Sequence, residues 1–161
     1  MRGFEKISFN QFSKDIIDDY ELYNNYKLPV RSTKNSAGYD IFALDDYHLL
    51  PGEMVKIPTG LKAFMNENEV LLIIIRSSLG FKYNVRLCNQ VGVIDSDYYN
   101  NIDNEGHIFV ALKNEGNEEL VIKKGEHFAQ GIYINFLTVT NEENIETKRT
   151  GGIGSTNEGG K

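Results

Sequence analysis

The sequence predicts an all-β domain, a barrel or sandwich of short strands with one short helix in front of it. Three observations carry that prediction. First, strand-like pieces recur from Tyr26 onward, at Tyr39–Leu44, Val55–Pro58, Glu69–Arg76, Val85–Leu87, Val91–Ile94, His107–Leu112, Glu119–Ile122 and Gly131–Val139. Turn signals such as Pro51-Gly52, Thr59-Gly60, Asn114-Glu115-Gly116-Asn117 and Lys124-Gly125-Glu126 separate them, as in barrels and sandwiches. Second, helical spacing of apolar residues is confined to Phe9, Phe12, Ile16 and Tyr20, behind a capping-box pair of Ser8 and Gln11, which predicts a helix over residues 8–20. Third, the composition changes after Glu143: Ile145 and Ile153 are the only aliphatic residues among the last 18. Such a segment buries too little surface to fold alone. The expected division is a helical extension over 1–25, a β domain over 26–143 and a flexible glycine-rich segment over 144–161.

At 161 residues, 40% hydrophobic and 25% charged, the chain has the size and composition of one soluble domain. Its longest apolar run, Val70 to Ile75, is too short to span a bilayer, and Met1-Arg2-Gly3-Phe4 does not open a signal peptide. A cytoplasmic location is expected, with the lone Cys88 as a small core residue. The net charge of −6 argues against direct nucleic-acid binding. A polyanionic ligand would have to be small and met by local cations or a metal.

Five short motifs carry chemistry. Ser36-Ala37-Gly38-Tyr39-Asp40 puts an acid at a strand edge, where it could orient metal-bound waters or simply close a turn. Arg76-Ser77-Ser78-Leu79-Gly80 follows the β-branched run Ile73-Ile74-Ile75. It delivers a guanidinium fork and two hydroxyls, a phosphate-binding set or a polar turn. Cys88-Asn89-Gln90-Val91-Gly92-Val93-Ile94-Asp95 leads through three largely apolar residues to an acid suited to general-base work. Asn89 can donate and accept, as reading a base edge requires. Gly125-Glu126-His127-Phe128-Ala129-Gln130 brings a phosphate donor, Gln130, into the last strand. Finally, Lys148-Arg149-Thr150-Gly151-Gly152-Ile153-Gly154-Ser155-Thr156 combines glycines, hydroxyls and cations. Backbone N–H groups freed by glycine can converge on phosphates, although such a string can also be an idle terminus.

In this order and at these separations the motifs, from Leu28-Pro29-Val30-Arg31 to Thr156, resemble the trimeric all-β dUTPases. The resemblance implies a jelly-roll-like, distorted barrel and a homotrimer whose sites combine motifs of three subunits, the tail crossing to a neighbour. It implies hydrolysis of dUTP to dUMP and pyrophosphate by water attack at the α-phosphorus, with Asp95 as the base. By the same match Mg²⁺ is the cofactor, held through water by Asp40. Arg76, Ser77, Ser78 and Gln130 contact phosphates, and Arg149, Gly151, Gly152, Ile153, Gly154, Ser155 and Thr156 close over them. The hairpin through Val93, Ile94 and Phe109, with Asn89, reads uracil, and Tyr98 packs beneath deoxyribose.

Two departures stand out. An apparent insertion, Asn100 to Glu105, precedes Gly106, and Ile153 replaces the aromatic that usually stacks on the base. The expectation is that Tyr99, beside the insertion, supplies the missing cover; the rival is that Ile153 does so by plain apolar contact. Two other functions stay open, a dCTP deaminase-like enzyme and a regulatory, nucleotide-switched binding protein. The insertion fits a Gram-positive bacterial or phage source by resemblance.

Overall fold

β6 (Glu69–Ile75) is the element around which the chain closes, and its seven residues EVLLIII are mostly buried. β-branched side chains favour such a strand. The structure is a computed structural model, and it describes residues 1–147, 149 and 151–154. β6 sits inside a four-stranded antiparallel sheet ordered β2 (Tyr39–Phe42), β11 (His127–Asn135), β6, β8 (Gly92–Asp95). A second sheet has the order β4 (Met54–Pro58), β9 (Phe109–Asn114), β7 (Val85–Leu87). Two pairs complete the barrel: β1 (Gly3–Lys6) with β5 (Leu61–Phe64), and β3 (Tyr47–Leu49) with β10 (Leu120–Ile122). The core runs between these layers, with Ile41, Ile57, Leu71, Leu112 and Phe128 fully enclosed. The all-β, jelly-roll-like expectation holds.

Eight strands were expected and eleven are present among the described residues. β1, β3 and β5 are short, and β1 lies where the sequence predicts only a helical extension. The helix expected over 8–20 is two helices, α1 (Phe9–Asp15) and α2 (Tyr20–Asn25). Ser8 caps α1 by accepting from the Gln11 N–H, and Asp19 caps α2 by accepting from the Leu22 N–H. A cap for a second helix inside the predicted one explains the break.

A third helix, α3 (Ser77–Tyr83), follows β6 and was not expected. Its interior Gly80 lowers helix propensity; buried Leu79 and a left-handed Asn84 at its end hold it.

Candidate active site

The third motif builds a cavity. β8 is the edge strand of its sheet and, among the described residues, pairs with β6 alone. Gly92 makes that pairing close, since a Cβ there would lie 3.1 Å from the Cβ of Ile73. Among the described residues no strand therefore covers the N–H and C=O groups on the outer edge of β8. That edge faces a cavity of about 500 Å³ whose other wall is the entry to β9, Ile108 to Ala111. That volume suits a small organic ligand. Asn89, Val93, Ile94, Asp95, Tyr98 and Phe109, all singled out from the sequence, line this cavity.

Tyr98 forms its floor and is 5% exposed. Its hydroxyl donates to the His107 carbonyl (2.8 Å) and accepts from the Asn104 amide (2.9 Å), while burial raises the phenol pKa. Phe109 is fixed from both sides, by the His107 ring 4.2 Å away and by the Lys56 ammonium 4.2 Å from its centroid.

The tail reaches the same cavity. Arg149 bridges two acids, Nη2 donating to Asp95 and Nε to Asp97, each at 2.9 Å. Its side chain is 12% exposed, against about half for both carboxylates, and its guanidinium lies over the Tyr98 ring. The Gly152 N–H donates to Asp103 (2.7 Å), and Ile153 and Gly154 line the cavity. Within the single chain, then, the tail folds back on its own cavity, whereas the resemblance implies a crossing to a neighbour. Asp95, Asp97 and Asp103 are acceptors that this chain itself offers. Ser155 and Thr156, with Lys148 and Thr150, lie outside the described residues.

The insertion is a self-bonded loop. Asn101 accepts from the N–H groups of Asp103 and Asn104 and donates to the Tyr98 carbonyl, and Asn104 accepts from the Gly106 N–H. Gly106 is required there, because a Cβ would meet the Tyr98 carbonyl oxygen at 2.6 Å. Within the single chain this folding turns Tyr99 away from the cavity. Its hydroxyl donates to Glu5 (2.7 Å) and its ring packs on Phe64. Tyr99 does not line the cavity, whereas Ile153 does. Cys88 also departs from expectation: it is half-buried and lines the cavity. Lys56 is a cavity residue with no signal in the sequence, since it alternates with apolar neighbours like any outward strand lysine.

The remaining predicted residues lie elsewhere. Asp95 is paired with Val70 at one end of β6. Arg76 follows the other end and Gln130 pairs with Ile74 on β11. Asp40 pairs with Gln130 from the far side. Six residues of extended chain separate Val70 from Arg76, roughly 20 Å. The structure thus brings Asp40, Arg76, Ser77, Ser78 and Gln130 to one end of the sheet and Asp95 to the other, with the cavity running along β8 from Asp95 to Gly92. Gln130 lies across Gly38, where a Cβ would collide with the amide oxygen at 2.1 Å. Gly38 therefore lets the first and fourth motifs meet.

A dUTPase family model matches residues 24–157. The chain belongs to the dUTPase family. It is similar to the deoxyuridine 5'-triphosphate nucleotidohydrolase of Lactococcus lactis, 50% identical over 146 residues, covering 87% of this chain and 97% of the relative. The crystal structure of a dUTPase from Streptococcus mutans matches with a TM-score of 0.69 and 40% identity, over 86% of this chain and 99% of that one. The dUTPase of phage φ11 of S. aureus, described with a species-specific insert, matches with a TM-score of 0.66 over 91% and 97% of the two chains. At 20% identity that likeness speaks for the fold alone.

Among the described residues no three His, Cys, Asp or Glu side chains converge on a metal site. A dUTPase site of this kind suits Mg²⁺, which takes few protein carboxylates and fills its shell with waters and substrate phosphates. Asp40, which accepts from the Ser32 hydroxyl at a strand edge, fits such an outer role. No described helix is long and apolar enough to cross a membrane.

Proposed function

We propose that this protein hydrolyses dUTP to dUMP and pyrophosphate, limiting uracil in DNA and supplying dUMP for thymidylate synthesis, in sites completed between the subunits of a cytoplasmic homotrimer. The observation that carries the reading is Asp95 at the mouth of a cavity walled by an unpaired strand edge. Uracil is recognised by β8 backbone groups and Asn89, deoxyribose by Tyr98. Cytosine, with an amine in place of a carbonyl, would set donor against donor, which costs more than a missing contact.

Asp95 orients a water on the α-phosphorus and takes its proton. Arg76, Ser77, Ser78 and Gln130 of a neighbouring chain align the phosphates, so that attack is in line with the departing pyrophosphate. Asp40 would hold Mg²⁺ through water, and the ion would supply charge neutralisation at the phosphates. Arg149 exchanges its two carboxylates for phosphate oxygens, which frees Asp95 for the water. The roughly 20 Å between Asp95 and Arg76 supports sharing between chains, because one triphosphate cannot span it within a chain.

The test is pyrophosphate release from dUTP, dCTP, dTTP and UTP, with Mg²⁺ and with chelator. The expected result is turnover of dUTP alone, dependent on Mg²⁺. Ammonia from dCTP would instead mark a deaminase. A protein that binds dUTP without turning it over would mark a regulatory module.

A further inference from the structure

His107 is fully buried where the insertion returns to β9. Its Nε2 faces the Gly60 N–H at 2.9 Å. A backbone N–H can only donate, so Nε2 is the unprotonated acceptor and the ring proton sits on Nδ1. Nδ1–H therefore donates to Asp15, 2.6 Å away. The His107 carbonyl receives the Tyr98 hydroxyl, and its ring supports Phe109. One residue thus ties the cavity to α1, the floor through its backbone carbonyl and one wall through its ring.

Asp15 lies outside the residues that match the family model. It is itself held by the Gln11 amide (2.8 Å). The other end of α1 grips the same loop, where the Ser8 N–H donates to Glu105 (2.9 Å). A loop lengthened by insertion has more conformations to lose on closing. A helix that clamps both Glu105 and His107 restrains it where it meets the cavity.

We propose that Asp15 is a positioning residue for nucleotide recognition, acting through the fixed tautomer of His107 to hold Tyr98 and Phe109 in place. This gives the N-terminal extension a part in the reaction, and it rests on the reading of the cavity as the site for uracil and deoxyribose.

The experiment compares Asp15→Ala with Asp15→Asn in the full-length protein, by kcat, KM and the dUTP-to-dCTP ratio of kcat/KM, scaled to folded protein. Asn keeps an acceptor for Nδ1–H, whereas Ala removes it. In Asp15→Ala, KM for dUTP rises about ten-fold, the effect of losing one hydrogen bond to a charged group, kcat changes less than about three-fold, and selectivity falls with loss of uniform binding. Asp15→Asn recovers most of both. An unchanged KM and selectivity in Asp15→Ala, or equal impairment of the two variants, overturns the proposal. Should Asp15→Ala not fold, imidazole ¹⁵N NMR of the wild type decides. A neutral His107 protonated on Nδ1 at pH 7 supports the clamp, and an imidazolium or the opposite tautomer overturns it. A wild type that is folded yet inert toward dUTP removes the cavity's assignment, and this role with it; an active wild type with a silent Asp15→Ala removes the role alone.

Discussion

The two ends of β6 carry the two halves of the proposed site, and they are made differently. At the Asp95 end the polar side chains around the cavity floor are committed, while Asn89 and the β8 edge face the cavity. Tyr98, Asn101, Asn104 and His107 bond to one another or to backbone, and Arg149 already spans two carboxylates. At the other end Arg76, Ser77, Ser78 and Gln130 make no side-chain hydrogen bond among the described residues. Base recognition needs fixed donors and acceptors, since selectivity is lost when they can turn away. Phosphate binding tolerates mobile cations and hydroxyls, because charge reaches further than a hydrogen bond. The chain has spent its internal bonds where discrimination is required.

The largest test of this contrast separates the halves genetically. Asp95→Asn and Arg76→Ala should each lower kcat/KM at least about 100-fold, as loss of a base or of a transition-state charge partner does. Refolded together in equal amounts, the two variants should recover about a quarter of wild-type activity, the chance that one intact end of each kind meets across a closed ring. No recovery would mean that both ends serve one chain.

A smaller effect is expected at the tail. Asp103→Ala removes the acceptor for the Gly152 N–H and should raise KM for dUTP about five-fold, as loss of a charge-assisted bond at an exposed loop does. It should add nothing in a protein ending at residue 147, because coupling vanishes once the partner is gone. An additive loss would assign Asp103 a role apart from the tail.

The smallest effect belongs to Tyr99. Tyr99→Ala loses the aromatic ring as well as the bond to Glu5 and should leave KM within about two-fold of wild type, the range of a surface change. Ile153→Ala should exceed it. A larger effect from Tyr99 would restore it as the cover of the base.

Much of this was legible in the chain. The β-branched run of β6 announced a buried strand, and the apolar residues before Asp95 announced β8. The cavity was legible because its residues from Asn89 to Tyr98 are nearly contiguous. The separation of the halves was not, because motif order carries no distance across a strand. The single-chain placement of Tyr99 was not legible either, because the asparagines of the insertion close the loop on itself. No local pattern exposes that closure. Asp15 and His107, 92 residues apart in sequence, left no signal in either neighbourhood. α3 was hidden by its glycine.

A seven-residue strand that holds the two halves apart also acts as an inspector of assembly. Under the shared-site reading, a nascent, damaged or orphaned chain can bind a nucleoside but cannot cut its phosphates. Catalytic output then counts completed rings rather than chains. Dilution below the assembly constant should silence the protein while leaving each fold intact.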